Sequence, residues 1–581
     1  MARTRRPAAR RKGASGASQA QTQASSVPPP SAASDWRARG LIALAAIAVF
    51  GRALPYPLQR SWDDGRFILD NTAVREPSLR ALGQIFGEQH FEAYHPLHLL
   101  GYWLDVPWFG PVPWVLHAVS LALWIGALWL LYGALRALAL APWAAVLGTL
   151  ACGLHPVQVE AVSWATGRKD VLALLFASAS LWLHLRARSS WDGSAWASRV
   201  AYALALLSKT TALPLPLVMI TLDVLTGRAR PWRALLAQLP NLLLAAAASV
   251  GVLLIWRDHT MLRTTLGGPE LAPLRFVQTL GHQLCTAFWP AHTAPMYSTE
   301  SVVRLDAGNI AAVVAWLAAC VFSWRSGARL VAAGLIAFGL LMLPVSNLVP
   351  MYFPLQDRYL SLPLAGLGLA LAAECQRVSA KHQRAALLFV GALIACLGLR
   401  TVQYAGVWRD EASLWGHAAS TQPDAEYAWL KLGEVRRESG ELEAAIAAYQ
   451  AAVQTAPLRK LARAALFEAV ALRDERIAGI SPSQARALAQ RFYEQMDSGS
   501  GLQELAAYLL QRGYVRSLEL PLQIVLAREP LPDDALQKIA LAQLKQGRGS
   551  LARFYAANMK KPSEDPALRE ALAQYSLRVV P

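Results

Sequence analysis

The chain has 581 residues, of which 54% are hydrophobic and only 16% charged, with 20 tryptophans, which excludes an ordinary soluble protein and implies a polytopic membrane protein with something attached. The formal charge of +17 does not point to nucleic acid, because residues 403–581 carry 22 Lys plus Arg against 21 Asp plus Glu, so the excess lies in the N-terminal tail and in short loops between apolar runs. Cys152, Cys285, Cys320, Cys375 and Cys396 lie in or beside apolar runs, with the spacing of neither a metal site nor a disulfide framework.

Residues 1–39 are rich in Pro, Ser, Ala and Gln and carry Arg3, Arg5, Arg6, Arg10, Arg11, Lys12, Arg37 and Arg39 against Asp35, a disordered basic tail that stays in the cytoplasm. The apolar run 41–56 reads as an uncleaved anchor that delivers a long loop, 57–111, to the outer side. In that loop Asp63 and Asp64 stand side by side just beyond the crossing. Asp-Asp-Gly is ordinary turn chemistry, but a carboxylate pair in this place can also take the proton of an acceptor hydroxyl. An amphipathic stretch, 95–109, suits the membrane interface.

Runs 112–135, 142–154 and 171–185 cross inward, outward and inward, which leaves His155, Glu160, Arg168, Lys169 and Asp170 outside. Residues 198–225, with basic residues at both ends, form a hairpin of two short spans bending near Ser208-Lys209-Thr210, so that Lys209 faces the outer side. Span 234–256 goes outward, and 276–289 reads as re-entrant or interfacial. Spans 310–324, 330–343, 360–373 and 385–399 complete eleven crossings. The N-terminus is then inside and the C-terminus outside. His90, His95, His98 and His155 lie in outer loops at no common zinc spacing, and no Gly-rich nucleotide-phosphate loop is present, so neither metal nor cofactor is expected.

From residue 403 the composition changes to soluble helices. Trp429, Leu432, Gly433, Gly440, Ala445, Tyr449, Ala452 and Pro457 occur at the offsets of a tetratricopeptide repeat, whose small residues let two antiparallel helices pack closely. One repeat cannot bury its own face, so 462–476, 483–496, 502–512, 518–527, 534–546 and 566–577 are expected to extend the stack. The expected fold is all-α: domain 1–39 a tail, 40–402 a polytopic membrane domain, and 403–581 an outer helical repeat solenoid.

Several motifs, in order, resemble a known family. They are Trp62-Asp63-Asp64 with Ile68 and Asn71; His155-Pro156; Glu160-Ala161-Val162 with Trp164; Gly167-Arg168-Lys169-Asp170; Ala205-Leu206-Leu207-Ser208-Lys209-Thr210; and Asp357-Arg358-Tyr359-Leu360 with Pro363. Together with Trp408-Arg409-Asp410-Glu411 they look like the membrane glycosyltransferases that carry tetratricopeptide repeats, similar to the transmembrane O-mannosyltransferases of the GT-C class. The chain departs from that pattern at Thr210, where an acidic residue usually follows the lysine, and at Gln356, beside which Asp357 supplies an acid.

The resemblance implies a GT-C-like fold and an inverting transfer of sugar from a polyprenyl phosphate to a hydroxyl of an envelope protein or glycan. Asp63 or Asp64 would be the base, and Arg168, Lys169, Lys209 and Arg358 would hold the donor phosphate. His155, Glu160, Asp170 and Tyr359 would contribute to substrate binding. Membrane lipid and protein partners on the repeats are further expected contacts. The Ala-, Arg- and Leu-rich composition suggests a bacterial inner membrane, with the outer side the periplasm. Two other classes compete: a non-catalytic scaffold acting through its repeats, which leaves the outer charges unexplained, and a transporter, which lacks repeats between its membrane halves.

Overall fold

A computed structural model describes residues 32–88, 94–258, 266–456, 460–475, 481–496 and 532–545, with isolated residues between 505 and 573. Every regular element among the described residues is helical. The membrane half comprises α1 (Ala32–Phe50), α2 (Pro96–Phe109), α3 (Pro113–Ala137), α4 (Pro142–Gly153), α5 (Arg168–Arg186), α6 (Gly193–Ser208), α7 (Leu215–Leu225), α8 (Pro231–Asp258), α9 (Ala272–Phe288), α10 (Ala307–Arg325), α11 (Arg329–Met342), α12 (Leu364–Arg377) and α13 (Gln383–Ala405). Helices start where the chemistry favours them. Prolines open α2, α3, α4 and α8, where the missing N–H costs nothing, and Asp192 and Asp306 cap α6 and α10 by accepting from Ala195 N and Asn309 N.

Each stretch expected to cross a membrane falls on one of these helices, and 276–289 falls on α9, but length separates them. Four, namely α3, α8, α10 and α13, are long and apolar enough to cross alone, and a fifth span results if α4 and the bent segment after it count as one. The others are short: α7 has 11 residues and α11 and α12 have 14 each, or roughly 16–21 Å of helix against a hydrocarbon core of roughly 30 Å. Helices α1 and α5 begin before the expected spans 41–56 and 171–185, so that Asp35, Arg37 and Arg39, expected in a disordered tail, and Arg168, Lys169 and Asp170, expected in a loop, lie in their first turns. The chain is a multi-pass membrane protein.

Two kinds of surface distinguish the helices. The outward faces of α8, α10 and α13 expose Leu253, Leu254, Val321, Phe322, Leu388 and Phe389, as helices facing lipid do. Inside the bundle, small residues allow close crossings. A Cβ at Gly148 of α4 would overlap the Gly368 carbonyl of α12, and one at Gly334 of α11 would lie 2.5 Å from the Gly366 carbonyl.

Helix α13 continues to Ala405, past the expected boundary at 402, and a 3-10 turn at Gly406–Arg409 joins it to α14 (Glu411–Thr421). Next come α15 (Glu426–Glu438), α16 (Leu442–Thr455), α17 (Lys460–Glu475) and α18 (Pro482–Gln495), each packed on its predecessor. Tyr449 of α16 lies where a Cβ at Gly433 of α15 would be, so only glycine permits this approach. Of the other sequence expectations, the tail 1–31, His90, Pro457, the helices at 502–512 and 518–527, and most of 566–577 lie outside the described residues.

Candidate functional site

The site is built by a break. Helix α4 stops at Gly153, and Pro156, which has no N–H to donate back, starts a 3-10 turn followed by a helical turn at Val159–Val162, bent from α4 by 58°. The chain then doubles back so tightly that a Cβ at Gly167 would overlap the Glu160 carbonyl, and α5 begins at Arg168. Glu160, Lys169 and Asp170 are thereby gathered at one end of the bundle. Helix α6 ends there at Ser208 and hands over to Lys209, and a 3-10 turn, Asp357–Leu360, brings Arg358 and Tyr359.

The acidic pair divides into two roles. Asp64 is fully buried: Gln59 N–H donates to Oδ2 at 2.7 Å, and Thr166 donates to Oδ1 through its N–H at 2.9 Å and its hydroxyl at 2.5 Å. It ties the first outer loop to the turn before α5, and burial pushes its carboxyl up to about 6 against the lowering effect of these donors. Asp63, by contrast, keeps 34% of its side chain exposed and stands 3.9 Å from the Lys169 ammonium. Asp63 is therefore the carboxylate that a hydroxyl can reach.

The cations are paired in sequence. Arg358 is bound to Glu160 both through its guanidinium and through its backbone N–H, which donates to Oε2 at 3.0 Å. Lys209 pairs with Asp170, and Lys169 has Asp63 as its loose partner. The fully buried indole of Trp164 lies at their centre, with Arg358 at 5.2 Å and Lys169 at 5.3 Å from the ring. Tyr359 lies 5.7 Å beneath Lys209 and donates its hydroxyl to the Phe353 carbonyl at 2.8 Å. Three cations thus meet three carboxylates, and the pair with the most freedom is Lys169 with Asp63.

Arg168 is not part of this cluster. Its guanidinium donates to Ser120 Oγ, the Gly101 and Leu116 carbonyls and the Asp105 carboxylate, and Tyr102 packs against it at 4.5 Å. With its donors engaged and the side chain fully buried, it fastens α2 and α3 to α5, a structural duty and not the phosphate contact expected of it. His155 is likewise buried, donating from Nε2 to the Ala287 carbonyl at 3.1 Å and accepting from Val157 N–H. His95 does face the cluster, and burial with the charges of Lys169 and Lys209 lowers it to about 3, so its imidazole is neutral.

Asp357, Glu411 and Trp62, present in the motifs, meet partners that no motif named, among them Tyr297, Tyr404, Ser61, Trp415 and Tyr427. Asp357 accepts from Tyr297 at 2.6 Å and Tyr404 at 3.0 Å, and burial among other acids holds its carboxyl well above the usual range. The roof over the acidic pair comes from the next domain: Glu411 accepts from Ser61 N–H at 2.5 Å, Trp415 donates to Ser61 Oγ at 2.8 Å, and Trp62 meets Trp415 and Tyr427 with ring centroids 5.0 and 6.0 Å away. Asp63 sits at this junction, next to Trp62 and 3.9 Å from the Lys169 ammonium.

No protein-family model matches the chain. Over 182 residues, 29% of this chain and 19% of the relative, it is 30% identical to the protein O-mannosyl-transferase Tmtc2 of Drosophila melanogaster. The chain thus spans about a fifth of the length of that relative. Among solved structures, ArnT from Cupriavidus metallidurans bound to undecaprenyl phosphate aligns with 95% of this chain and 90% of its own at 14% identity and a TM-score of 0.37. The same protein in the apo state aligns at 15% identity and a TM-score of 0.35. The printed name of that relative is in keeping with the glycosyltransferases that the motifs resemble.

Proposed function

We propose that this chain transfers a sugar from a polyprenyl-phosphate-linked donor to a hydroxyl of an envelope protein or glycan, with inversion at the anomeric carbon, on the outer side of a bacterial inner membrane. The observation that carries the proposal is Asp63, which keeps 34% of its side chain exposed and stands 3.9 Å from the Lys169 ammonium, where the first loop meets the C-terminal helices. A hydroxyl is a poor nucleophile until a carboxylate takes its proton, and a departing lipid phosphate needs positive charge.

The pair couples these needs. As Asp63 accepts the acceptor's proton it loses its charge, and Lys169 is left unneutralised while the bond between the anomeric carbon and the phosphate oxygen breaks and the bond to the acceptor oxygen forms. Lys209 and Arg358, held by Asp170 and Glu160, add positive potential at fixed positions. Residues 1–39 are read as a cytoplasmic tail, 40–402 as the transferase domain with eleven crossings, and 403–581 as a periplasmic tetratricopeptide-type solenoid that presents the acceptor. The family relationship supports the choice of hydroxyl acceptor, since the matched relative is named for O-mannosyl transfer.

The test is transfer by the purified full chain in nanodiscs, from a panel of polyprenyl phosphate sugars to envelope proteins, with chelator present and products read by mass spectrometry. The parent is expected to add sugar to hydroxyl side chains and Asp63→Asn to fail. A parent that transfers nothing while its repeats still bind envelope proteins leaves the scaffold as the better reading. Undiminished transfer by Asp63→Asn removes the assigned base.

A further inference from the structure

The end of the bundle opposite the candidate site holds a second charged cavity. Helix α5 runs from Lys169 at the site to His184 near its other end, 15 residues or roughly 22 Å away, and α6 runs back to Lys209. Between the ends of α5, α6, α7 and α8 lies a polar cavity of about 250 Å³, lined among others by Arg188, Arg199, Asp223, Arg228 and Arg233.

Its wall is built, not merely basic. Asp223 is buried and accepts from Arg228 Nε at 3.1 Å and from His184 Nε2 at 3.0 Å, and Gln238 donates to His184 Nδ1 at 3.2 Å and accepts from Asn241 at 2.7 Å. This chain of bonds spends Arg228 and fixes the floor. Among the described residues the side chains of Arg188, Arg199 and Arg233 form no ion pair, and the nearby Asp192 carboxylate accepts instead from the Arg188 backbone N–H at 2.6 Å and caps α6. Arg199 is the most telling: it lies against the rings of Trp191 and Trp196 at 4.6 and 4.7 Å, it donates from Nη2 to the Ser190 carbonyl at 2.6 Å, and its Nη1 is buried with no hydrogen-bond partner. A buried guanidinium donor left unmade is costly, so a site that supplies an anion there is favoured.

Surroundings indicate where the anion comes from. Trp191, Trp196 and Trp232 are exposed around the cavity, and Leu235, Leu236 and Leu239 are exposed on the next turns of α8, so the opening lies where aromatic rings meet lipid tails. We propose that this cavity binds the phosphoryl headgroup of an anionic membrane lipid in the leaflet opposite the candidate site. Arg188, Arg199 and Arg233 make the charged contacts, and the exposed apolar turns of α8 lie along the acyl chains. The proposal does not rest on the transfer reaction.

The experiment uses the full chain in nanodiscs of mixed phosphatidylglycerol and phosphatidylcholine, extracted stepwise with detergent, with retained lipid counted by native mass spectrometry. The parent is expected to keep phosphatidylglycerol about tenfold better than phosphatidylcholine, and the Arg188→Gln/Arg199→Gln/Arg233→Gln variant to lose that preference. The single variant Arg233→Gln, at an exposed position, guards against misfolding and is expected to lose part of it. Arg325→Gln/Arg329→Gln, exposed cations between α10 and α11, is expected to leave retention unchanged. Equal retention of both lipids by the parent, or an equal loss in the Arg325/Arg329 control, overturns the site. Thermal stabilisation of lipid-free protein by inorganic phosphate without any lipid preference overturns the lipid and assigns a soluble phosphate instead.

Discussion

Asp63 and Asp64 are neighbours of identical chemistry, yet their surroundings demand different outcomes from the same substitution. Asp63→Asn removes a reachable base and is expected to lower transfer by about 10² to 10⁴ while the melting temperature holds. Asp64→Asn can keep its carbonyl oxygen for the two Thr166 donors but then turns its amide N–H toward the Gln59 N–H, and it is expected to cost about 1–3 kcal/mol of stability, read as a lower melting temperature. The pH dependence separates them further. Because the folded carboxyl of Asp64 titrates near 6 instead of 3.8, its protonated form favours the fold, a contribution present below 3.8 and lost as pH rises through about 6. The whole loss, roughly 3 kcal/mol, accrues between about pH 3 and pH 7, so the parent should fall in stability relative to Asp64→Asn across that range in paired thermal melts, with roughly 1.4 kcal/mol of it above pH 5. No such difference would show that Asp64 titrates normally. Arg358→Ala strands the fully buried Glu160 and is expected to destabilise by about 3–5 kcal/mol as well as stop transfer, whereas Arg358→Gln with Glu160→Gln recovers the melting temperature but not the activity. The cations Lys169, Lys209 and Arg358 were legible as a set from the motifs; that Arg168 is spent on Asp105 was not, since the partner is 63 residues away and no local pattern links them.

Helices were legible wherever a long apolar run stood between polar or charged loops, as for α3, α4 and α10, and the bend near Lys209 followed from basic residues at both ends of one run. What resisted reading were short elements whose shape depends on distant contacts. The π-turn at Gly65–Leu69 and the 3-10 turn at Ala165–Gly167 have no periodicity, and they are held together by Asp64 meeting Thr166. Close helix crossings fall between these cases: Gly433 was recognisable by its offset in the repeat pattern, while Gly148 and Gly368 are ordinary glycines until α4 and α12 are brought together. Gly433→Leu is expected to push α15 from α16, costing about 1–3 kcal/mol. Hydrogen exchange on the full chain should then show faster exchange in 426–455 and unchanged exchange in α3 and α5. Uniform slow exchange in that region would mean the helices part without cost.

The whole molecule is polarised along the axis of its bundle, and this is the property most open to a direct test. The first outer loop and the start of the C-terminal helices touch through Ser61 with Glu411 and Trp62 with Trp415, so they must share one side of the membrane. The arginine-lined cavity lies at the far ends of α5 and α6, so in the proposed topology, where both cross, it faces the other side. In a chain whose five cysteines are replaced by alanine, single cysteines at the exposed positions Thr72, Ser439 and Ser189 sample these three places. A membrane-impermeant maleimide applied to intact cells with a permeable outer envelope is expected to label Thr72→Cys and Ser439→Cys equally, and to reach Ser189→Cys only after the inner membrane is opened. Labelling of position 72 without 439 would separate the base from the repeats that are proposed to present its acceptor. Labelling of 189 along with the other two would put both charged sites on one face, which an α5 spanning between them cannot accommodate. Protection of 72 and 439 with free labelling of 189 would keep the fold but reverse its orientation, and the transfer reaction would then have to occur on the cytoplasmic side.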